Sequence, residues 1–145
     1  MRSRAPAIRA VTRQGPKASV LLALSAIRFA DGEALLRTER PERYGGAIYI
    51  AGYGVECALK ARICHDLRQV SLPEKFWRHD LVWLAERTRF RCRVRADRQV
   101  SDRLRWLAGE WFVSMRYQRY PYDRARVRVF IQRAREFAQE VVQCP

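Results

Sequence analysis

The chain has 145 residues, which is the size of one domain and too short for two well-buried hydrophobic cores. Hydrophobic residues make up 48% of it, which excludes a wholly disordered chain. Lys and Arg number 29 against 15 Asp and Glu, so the net charge of +14 attracts polyanions unless a partner masks it. We therefore expect the partner to be nucleic acid, a nucleotide or an acidic protein.

The first 19 residues are basic and include no acidic residue. Pro6, Gly15 and Pro16 interrupt them, a composition that predicts a flexible basic arm over residues 1–19. The same arginine-rich composition is also typical of a transit peptide, so both interpretations stand. The folded domain is then expected over residues 20–142.

Prolines divide the rest of the chain into helical windows, because a proline ring removes a backbone donor and clashes inside a helix. The windows are bounded by Pro16, Pro41, Pro73, Pro121 and Pro145. Apolar residues repeat at helical spacing in each window, which predicts an all-α, up-and-down bundle of four to five helices. The predicted buried positions are Val20, Leu24, Ile27 and Leu35, then Ile48, Val55, Leu59 and Ile63, then Leu81, Leu84 and Ala85, then Val100, Leu104, Leu107 and Trp111, and finally Val127, Ile131, Ala134, Ala138 and Val141.

Polar residues mark the starts of two of these helices. Asp123 precedes the last stripe as its predicted N-cap. His79 and Asp80 precede the short helix of the third window as its cap and start. The arginines of the last helix are expected to form a solvated face; they are Arg124, Arg126, Arg128, Arg133 and Arg135.

The four cysteines, Cys57, Cys64, Cys92 and Cys144, lack the spacing of a zinc or redox motif. Cys57 and Cys64 lie two helical turns apart, roughly 10 Å, which is too far for an unstrained disulfide. All four cysteines are therefore predicted to be reduced, buried thiols of a cytoplasmic protein, with no metal and no cofactor. No stretch approaches the roughly 20 apolar residues that cross a bilayer, so no membrane contact is expected.

Arginines alternate with uncharged residues between the two stripes of the third window. They are Arg87, Arg89, Arg91, Arg93 and Arg95. In a strand, this period of two places the guanidinium groups on one side, about 6.6 to 6.8 Å apart. Such a row suits the phosphates of single-stranded nucleic acid. The alternative is a solvated loop, or an edge ribbon that charge protects from pairing.

The second window predicts a helix over residues 43–64 with two distinct faces. Its four glycines weaken a helix by roughly 1 kcal/mol each, so tight packing around it is expected. Opposite the aliphatic stripe, Tyr49, Tyr53, Glu56 and Lys60 share a second face. This face predicts either a ligand cleft or dimer seam, or a helix buried on both sides with its polar groups satisfied internally.

Three strings of the sequence together resemble the HEPN superfamily: RYGGAIYIAGYGVECALKA at residues 43–61, HDLVWL at 79–84 and WFVSMRYQRYP at 111–121. The resemblance extends in order over residues 20–142. It implies a helical bundle from a prokaryotic defence, toxin or antitoxin system. HEPN proteins are often encoded beside a minimal nucleotidyltransferase, so the resemblance also implies such a partner.

Catalytic HEPN proteins are metal-independent ribonucleases with an R-x(4-6)-H motif, in which the arginine stabilises phosphate charge and the histidine moves protons. This chain lacks the motif. The residues at the required distance before His79 are Leu-Pro-Glu, and those before His65 are Ala-Leu-Lys. Where the motif is expected, residues 116–122 read RYQRYPY, and a tyrosine with a pKa of about 10 is a poor base at pH 7. The resemblance therefore favours a non-catalytic member.

The RYQRY segment predicts a binding site. Arg116 and Arg119 share a face if the helix persists, and two guanidinium groups clamp a phosphate. Tyr117 and Tyr120 then stack on a base, as aromatic side chains do in single-strand binding.

A purely structural interpretation of the same segment stands beside it. Trp111 and Tyr117 then belong to the core, and the arginines pair with Glu56 or Glu110.

Three hypotheses of function follow. The first is a homodimeric HEPN-type module that binds RNA or a nucleotide around Arg116 and Arg119 and acts with a partner such as a nucleotidyltransferase. The second is a diverged ribonuclease toxin in which Tyr122 or His79 replaces the missing histidine. The third is a protein-interaction subunit whose charge an acidic partner neutralises.

Overall fold

The computed structural model describes residues 14–117, 119 and 121–145. These residues form six α-helices: α1 (Ala18–Arg37), α2 (Tyr44–Asp66), α3 (Leu81–Ala85), α4 (Arg91–Ala96), α5 (Arg98–Glu110) and α6 (Arg124–Gln143). Short 3₁₀ turns lie at Pro41–Arg43, Glu74–Phe76 and Val113–Tyr117. The predicted all-α class is confirmed, with α3 and α4 as short pieces beside four longer helices.

The predicted basic arm lies partly outside the described residues, which begin at residue 14. Its last residues pair with the loop after α2. The Ala18 amide donates to the Val70 carbonyl at 2.9 Å, and the Leu72 amide donates to the Pro16 carbonyl at 2.9 Å. The first helix begins at Ala18, two residues before the predicted start of the folded domain.

The first helix buries a different face from the predicted one. Leu21, Ser25, Phe29, Gly32 and Leu36 are buried against the bundle. The predicted positions Val20 and Ile27 are instead 45% and 48% exposed. Periodicity did not distinguish the two faces because both are apolar, and the small residues of the true core face carry little hydrophobic signal.

The second helix packs against both α1 and α6 and forms the centre of the bundle. Its predicted aliphatic stripe is confirmed: Ile48, Val55, Leu59 and Ile63 have no exposed surface. The helix ends where Arg68 adopts a left-handed backbone conformation with φ of 53°.

The arginine-rich segment between α3 and α5 is not extended: it forms turns up to Phe90 and then the helix α4. Phe90 and Val94, four residues apart, are both buried, and this helical spacing determines the conformation. The predicted strand over Arg87 to Arg95 is therefore wrong. Several of these arginines have local partners, since Arg87 stacks on the Trp83 ring at 3.7 Å and Arg95 pairs with Glu86 at 2.6 Å.

The last two long helices bury the faces that the sequence predicted. In α5 the buried residues include Val100, Leu104 and Leu107, followed by Trp111 at its C-terminal end. In α6 all five predicted positions are buried, and the Asp123 carboxylate accepts from the Arg126 amide at 2.7 Å as the predicted cap. Among the described helices none combines the length and hydropathy of a transmembrane span.

The cysteines divide into two pairs. Cys57 and Cys64 are buried thiols, as predicted. Cys92 is exposed and Cys144 is half-buried, so the prediction of buried thiols was wrong for those two. Burial raises the pKa of the Cys57 thiol to about 11.

Candidate functional site: an arginine and tyrosine cleft

A cleft of about 780 Å³ opens between the start of α2 and the segment that joins α5 to α6. The lining residues that matter for its chemistry are Glu42, Gly45, Tyr49, Arg116, Arg119 and Tyr122. Gly45 lies in the first turn of α2, and a Cβ atom there would reach within 3.8 Å of the Tyr122 ring. A larger side chain would therefore narrow the cleft at the positive end of the helix dipole.

The charge of the cleft comes from its two arginines. The lining also includes Glu42, but its carboxylate already pairs with Arg40 at 2.7 Å. A hydrogen bond from the Glu42 backbone amide is the main cause that lowers the pKa of this carboxyl. Arg116 and Arg119 therefore present positive charge that Glu42 does not neutralise.

Both arginines reach the cleft by a geometry that the sequence did not predict. Arg116 lies in the 3₁₀ turn Val113–Tyr117, and Arg119 follows it outside any helix. The predicted shared α-helical face is wrong, since Pro121 follows closely and disfavours a continuing helix. The two side chains nevertheless line one cleft.

Tyr117 of the RYQRY segment does not belong to the core, contrary to the structural interpretation of the sequence. Tyr117 is 78% exposed, and the Arg116 guanidinium lies 4.8 Å from its ring centre. The predicted core role of Tyr117 is wrong, whereas Trp111 is buried as predicted. Tyr120 lies outside the described residues.

The phenol of Tyr49 joins the cleft to the interior of the polar face. Its hydroxyl lies 3.0 Å from the Tyr53 hydroxyl. Hydrogen bonding with the Tyr49 side chain is the main cause that raises the pKa of the Arg116 guanidinium. Burial, followed by the bond to Tyr49, raises the pKa of Tyr53 to about 12, so Tyr53 stays protonated at neutral pH.

The inner end of the same face is an ion-pair cluster centred on Glu56. The buried Glu56 carboxylate accepts from Lys60 Nζ at 2.6 Å. Its other oxygen lies 2.9 Å from His79 Nδ1. The structure thus divides this face of the helix: Tyr49 lines the cleft, whereas Glu56 and Lys60 pair with each other in the interior.

The predicted pairing of the segment's arginines with Glu56 or Glu110 is wrong. Glu56 is occupied by Lys60 and His79. Glu110 instead accepts three hydrogen bonds from Arg126 of α6, the shortest at 2.6 Å. This leaves Arg116 to the tyrosines and the cleft.

The role of His79 was missed by sequence reasoning. Asp80 caps α3 as predicted, accepting from the Trp83 amide at 2.8 Å. His79 instead turns toward α2, where it bonds Glu56 and meets the Tyr53 ring edge-on at 6.3 Å between centres. No local signal predicts this contact, because its partners lie more than 20 residues earlier in the chain.

The five alternating arginines, Arg87 to Arg95, lie outside this cleft. Within the described ranges, no three His, Cys, Asp or Glu side chains come together as metal ligands. No protein-family model, no curated protein and no solved structure matches the chain. The likeness to HEPN proteins accordingly rests on the three strings alone.

Proposed function

We propose that this chain binds a phosphate-bearing ligand, either RNA or a nucleotide, in the cleft beside the start of α2. The observation that carries the proposal is that Arg116 and Arg119 converge on one cleft in which the carboxylate of Glu42 is already paired with Arg40. Guanidinium groups form charge-assisted, bidentate hydrogen bonds with phosphate oxygens.

The position of Tyr49 supports this function, because its side chain is near enough to hydrogen-bond the Arg116 guanidinium at the cleft. The exposed ring of Tyr117, beside the same guanidinium, offers a surface on which a base can stack. The net charge of +14 adds long-range attraction for a polyanion.

The wider role that we propose is that of a non-catalytic, cytoplasmic component of a defence or toxin–antitoxin-type module. The three strings that resemble HEPN proteins support it. A nucleotidyltransferase is the proposed partner. The identity of the adjacent gene and co-purification of its product with this chain test the partnership.

The binding proposal is tested by fluorescence anisotropy with a labelled single-stranded oligoribonucleotide and, separately, with ATP as competitor. We expect Arg116→Ala and Arg119→Ala each to weaken binding about tenfold, equivalent to roughly 1.4 kcal/mol. Arg128→Ala is the matched control, because Arg128 is exposed on α6 and its loss changes the net charge equally. An equal loss of affinity in the control would show that only overall charge attracts the RNA.

Salt titration separates this proposal from an acidic protein partner. Two phosphate contacts on a single strand give a slope of about −1.4 for log affinity against log salt, and Arg116→Ala should reduce it by about 0.7. If neither RNA nor ATP binds even at low salt, the cleft proposal fails. The interaction-subunit hypothesis then becomes the stronger one.

A second candidate function is a diverged ribonuclease, which the Glu56 and His79 pair favours. A buried carboxylate that holds Nδ1 of a histidine orients the ring and leaves Nε2 for proton transfer. His79 and Arg116 both contact the Tyr49 and Tyr53 pair, from opposite ends. Tyr122, the other suggested replacement, lines the cleft itself.

Incubation of the purified protein with total RNA in EDTA decides between the two candidates. Cleavage that survives the chelator and disappears in both Arg116→Ala and His79→Asn would establish a ribonuclease. Cleavage that persists in both variants identifies a contaminant. Intact RNA, together with binding that depends on Arg116, is the result that the non-catalytic proposal expects.

A further inference from the structure

The outer face of α1 is apolar although it points away from the bundle. The core face of the helix includes Leu21, Phe29 and Leu36. The residues on the opposite side, all exposed, are Val20, Ala23, Ile27, Ala30 and Ala34. A surface helix ordinarily carries charged or polar residues on this side, and a helix that is apolar all round is normally buried.

These five residues, here named the α1 stripe, have the spacing of a coiled-coil seam. Their intervals alternate between three and four residues, the a and d positions of a heptad repeat. The stripe extends over about 21 Å at 1.5 Å per residue. It carries no charge in a chain of which 30% of the residues are charged.

We propose that the α1 stripe is the seam of a homodimer in which the α1 helices of two copies pack antiparallel. A two-fold axis near Ser25 places Val20 opposite Ala30 of the second copy, and Ile27 opposite Ala23. In both of these pairs a large side chain meets a small one, which allows close packing without cavities. The same surface serves both copies, as two-fold symmetry requires.

The charges beside the stripe select the antiparallel arrangement. Lys17 precedes the helix, and the acidic residues Asp31 and Glu33 lie in its second half. The antiparallel pair places Lys17 of each copy beside Asp31 of the other, whereas a parallel pair brings both lysines to the same end of the seam, away from Asp31. Asp31 already pairs with Arg28 at 2.9 Å, so Lys17 joins an existing ion pair at the seam.

An adjoining groove extends the apolar surface on one side of the stripe. This groove, of about 380 Å³, lies between α1 and α6. Leu22 and Val142 line it, and each is 43% exposed. Contiguous exposed apolar patches mark interaction surfaces in soluble proteins.

Sedimentation equilibrium of the full chain, without nucleic acid, tests the dimer. We expect twice the 17.1 kDa mass of the chain for the unmodified protein and the single-chain mass for Ile27→Glu. Val129→Glu is the matched control, since Val129 is a 39% exposed apolar residue on α6 outside the stripe. Ala30→Glu supplies a second seam variant, and circular dichroism verifies the fold of each.

Cysteine cross-linking in a Cys92→Ser background tests the orientation. Val20→Cys and Ala30→Cys chains, mixed and mildly oxidised, should form a disulfide between the two different variants. Val20→Cys alone should remain uncross-linked. Ready cross-linking of Val20→Cys with itself would overturn the antiparallel arrangement.

Two results of the mass measurement would overturn the seam itself. One is a monomer at every concentration, and the other is a dimer that persists in both Ile27→Glu and Ala30→Glu. The dimer is independent of the phosphate cleft. Its mass is measured without RNA, and the α1 stripe is remote in sequence from the segment that carries Arg116 and Arg119.

Discussion

The indole of Trp111 occupies the space that a side chain at position 52 would fill. A Cβ atom placed on Gly52 would lie 2.1 Å from Trp111 Cδ1. The indole Nε1 donates to the Tyr49 carbonyl at 2.9 Å. Because Trp111 begins the segment that carries Arg116, this contact holds both sides of the cleft together.

Gly52→Ala should therefore destabilise the protein. Alanine normally stabilises a helix by about 1 kcal/mol relative to glycine, but overpacking against Trp111 costs roughly 1–3 kcal/mol. We expect a net loss in the free energy of unfolding, measured by urea denaturation, and weaker RNA binding. Gly109→Ala in α5 is the control, since a Cβ there meets nothing within 4 Å and should stabilise the fold. A Gly52→Ala protein as stable as the control would contradict the packing argument.

Arg62 of α2 supports the C-terminal end of α6. Its buried guanidinium donates to the carbonyls of Val141 and Cys144, and its Nε donates to Asp66 at 2.8 Å. The last carbonyls of a helix lack partners within the helix, so these bonds satisfy groups that are otherwise unpaired.

Arg62→Ala should lower the free energy of unfolding by about 3–5 kcal/mol, because it leaves Asp66 buried without a countercharge. Arg98→Ala is the control: its ion pair with Asp102 is solvent-exposed and contributes less than about 1 kcal/mol. Urea denaturation of both variants gives the comparison. Similar losses of unfolding free energy in the two variants would show that removing one positive charge explains the effect, and that the buried pair of Arg62 with Asp66 does not.

The fold was predictable where a helix has one apolar face. In α6 the stripe from Val127 to Val141 alternates with charged residues, and every predicted position is buried. In α1 both faces are apolar, and the core face includes Ser25 and Gly32, which only packing against α2 explains. Ser25 donates to the Gly54 carbonyl at 2.7 Å, a contact between distant residues that periodicity does not encode.

The site was only half predictable for a similar reason. Tyr49 and Arg116 were chosen by residue type and spacing, and the structure places both at one cleft. The Glu56 and His79 contact joins two elements of the tertiary fold and has no sequence signal. The period-two arginines were misleading because burial of Phe90 and Val94 outweighs the charge pattern that surrounds them.

The stability of the protein should fall at alkaline pH through Cys57. Burial raises the pKa of its thiol from 9.0 to about 11. Between these values the unfolded chain releases the thiol proton and the folded chain retains it, so the free energy of unfolding decreases as pH rises. The effect is on the order of 2 kcal/mol. Urea denaturation from pH 8 to 11 should show a shallower decline in Cys57→Ala, with exposed Cys92→Ala unchanged from the parent protein.

Glu56 should contribute far more to stability than its partner His79. Glu56→Gln preserves the shape of the side chain but leaves the nine-tenths buried Lys60 ammonium without a countercharge, at a cost of about 3–5 kcal/mol. His79→Asn removes a half-exposed partner and should cost less than about 1 kcal/mol. The double variant Glu56→Gln with Lys60→Met should recover most of the loss, because no unpaired buried charge remains. If the double variant is no more stable than Glu56→Gln alone in urea denaturation, the loss has another origin than the unpaired ammonium.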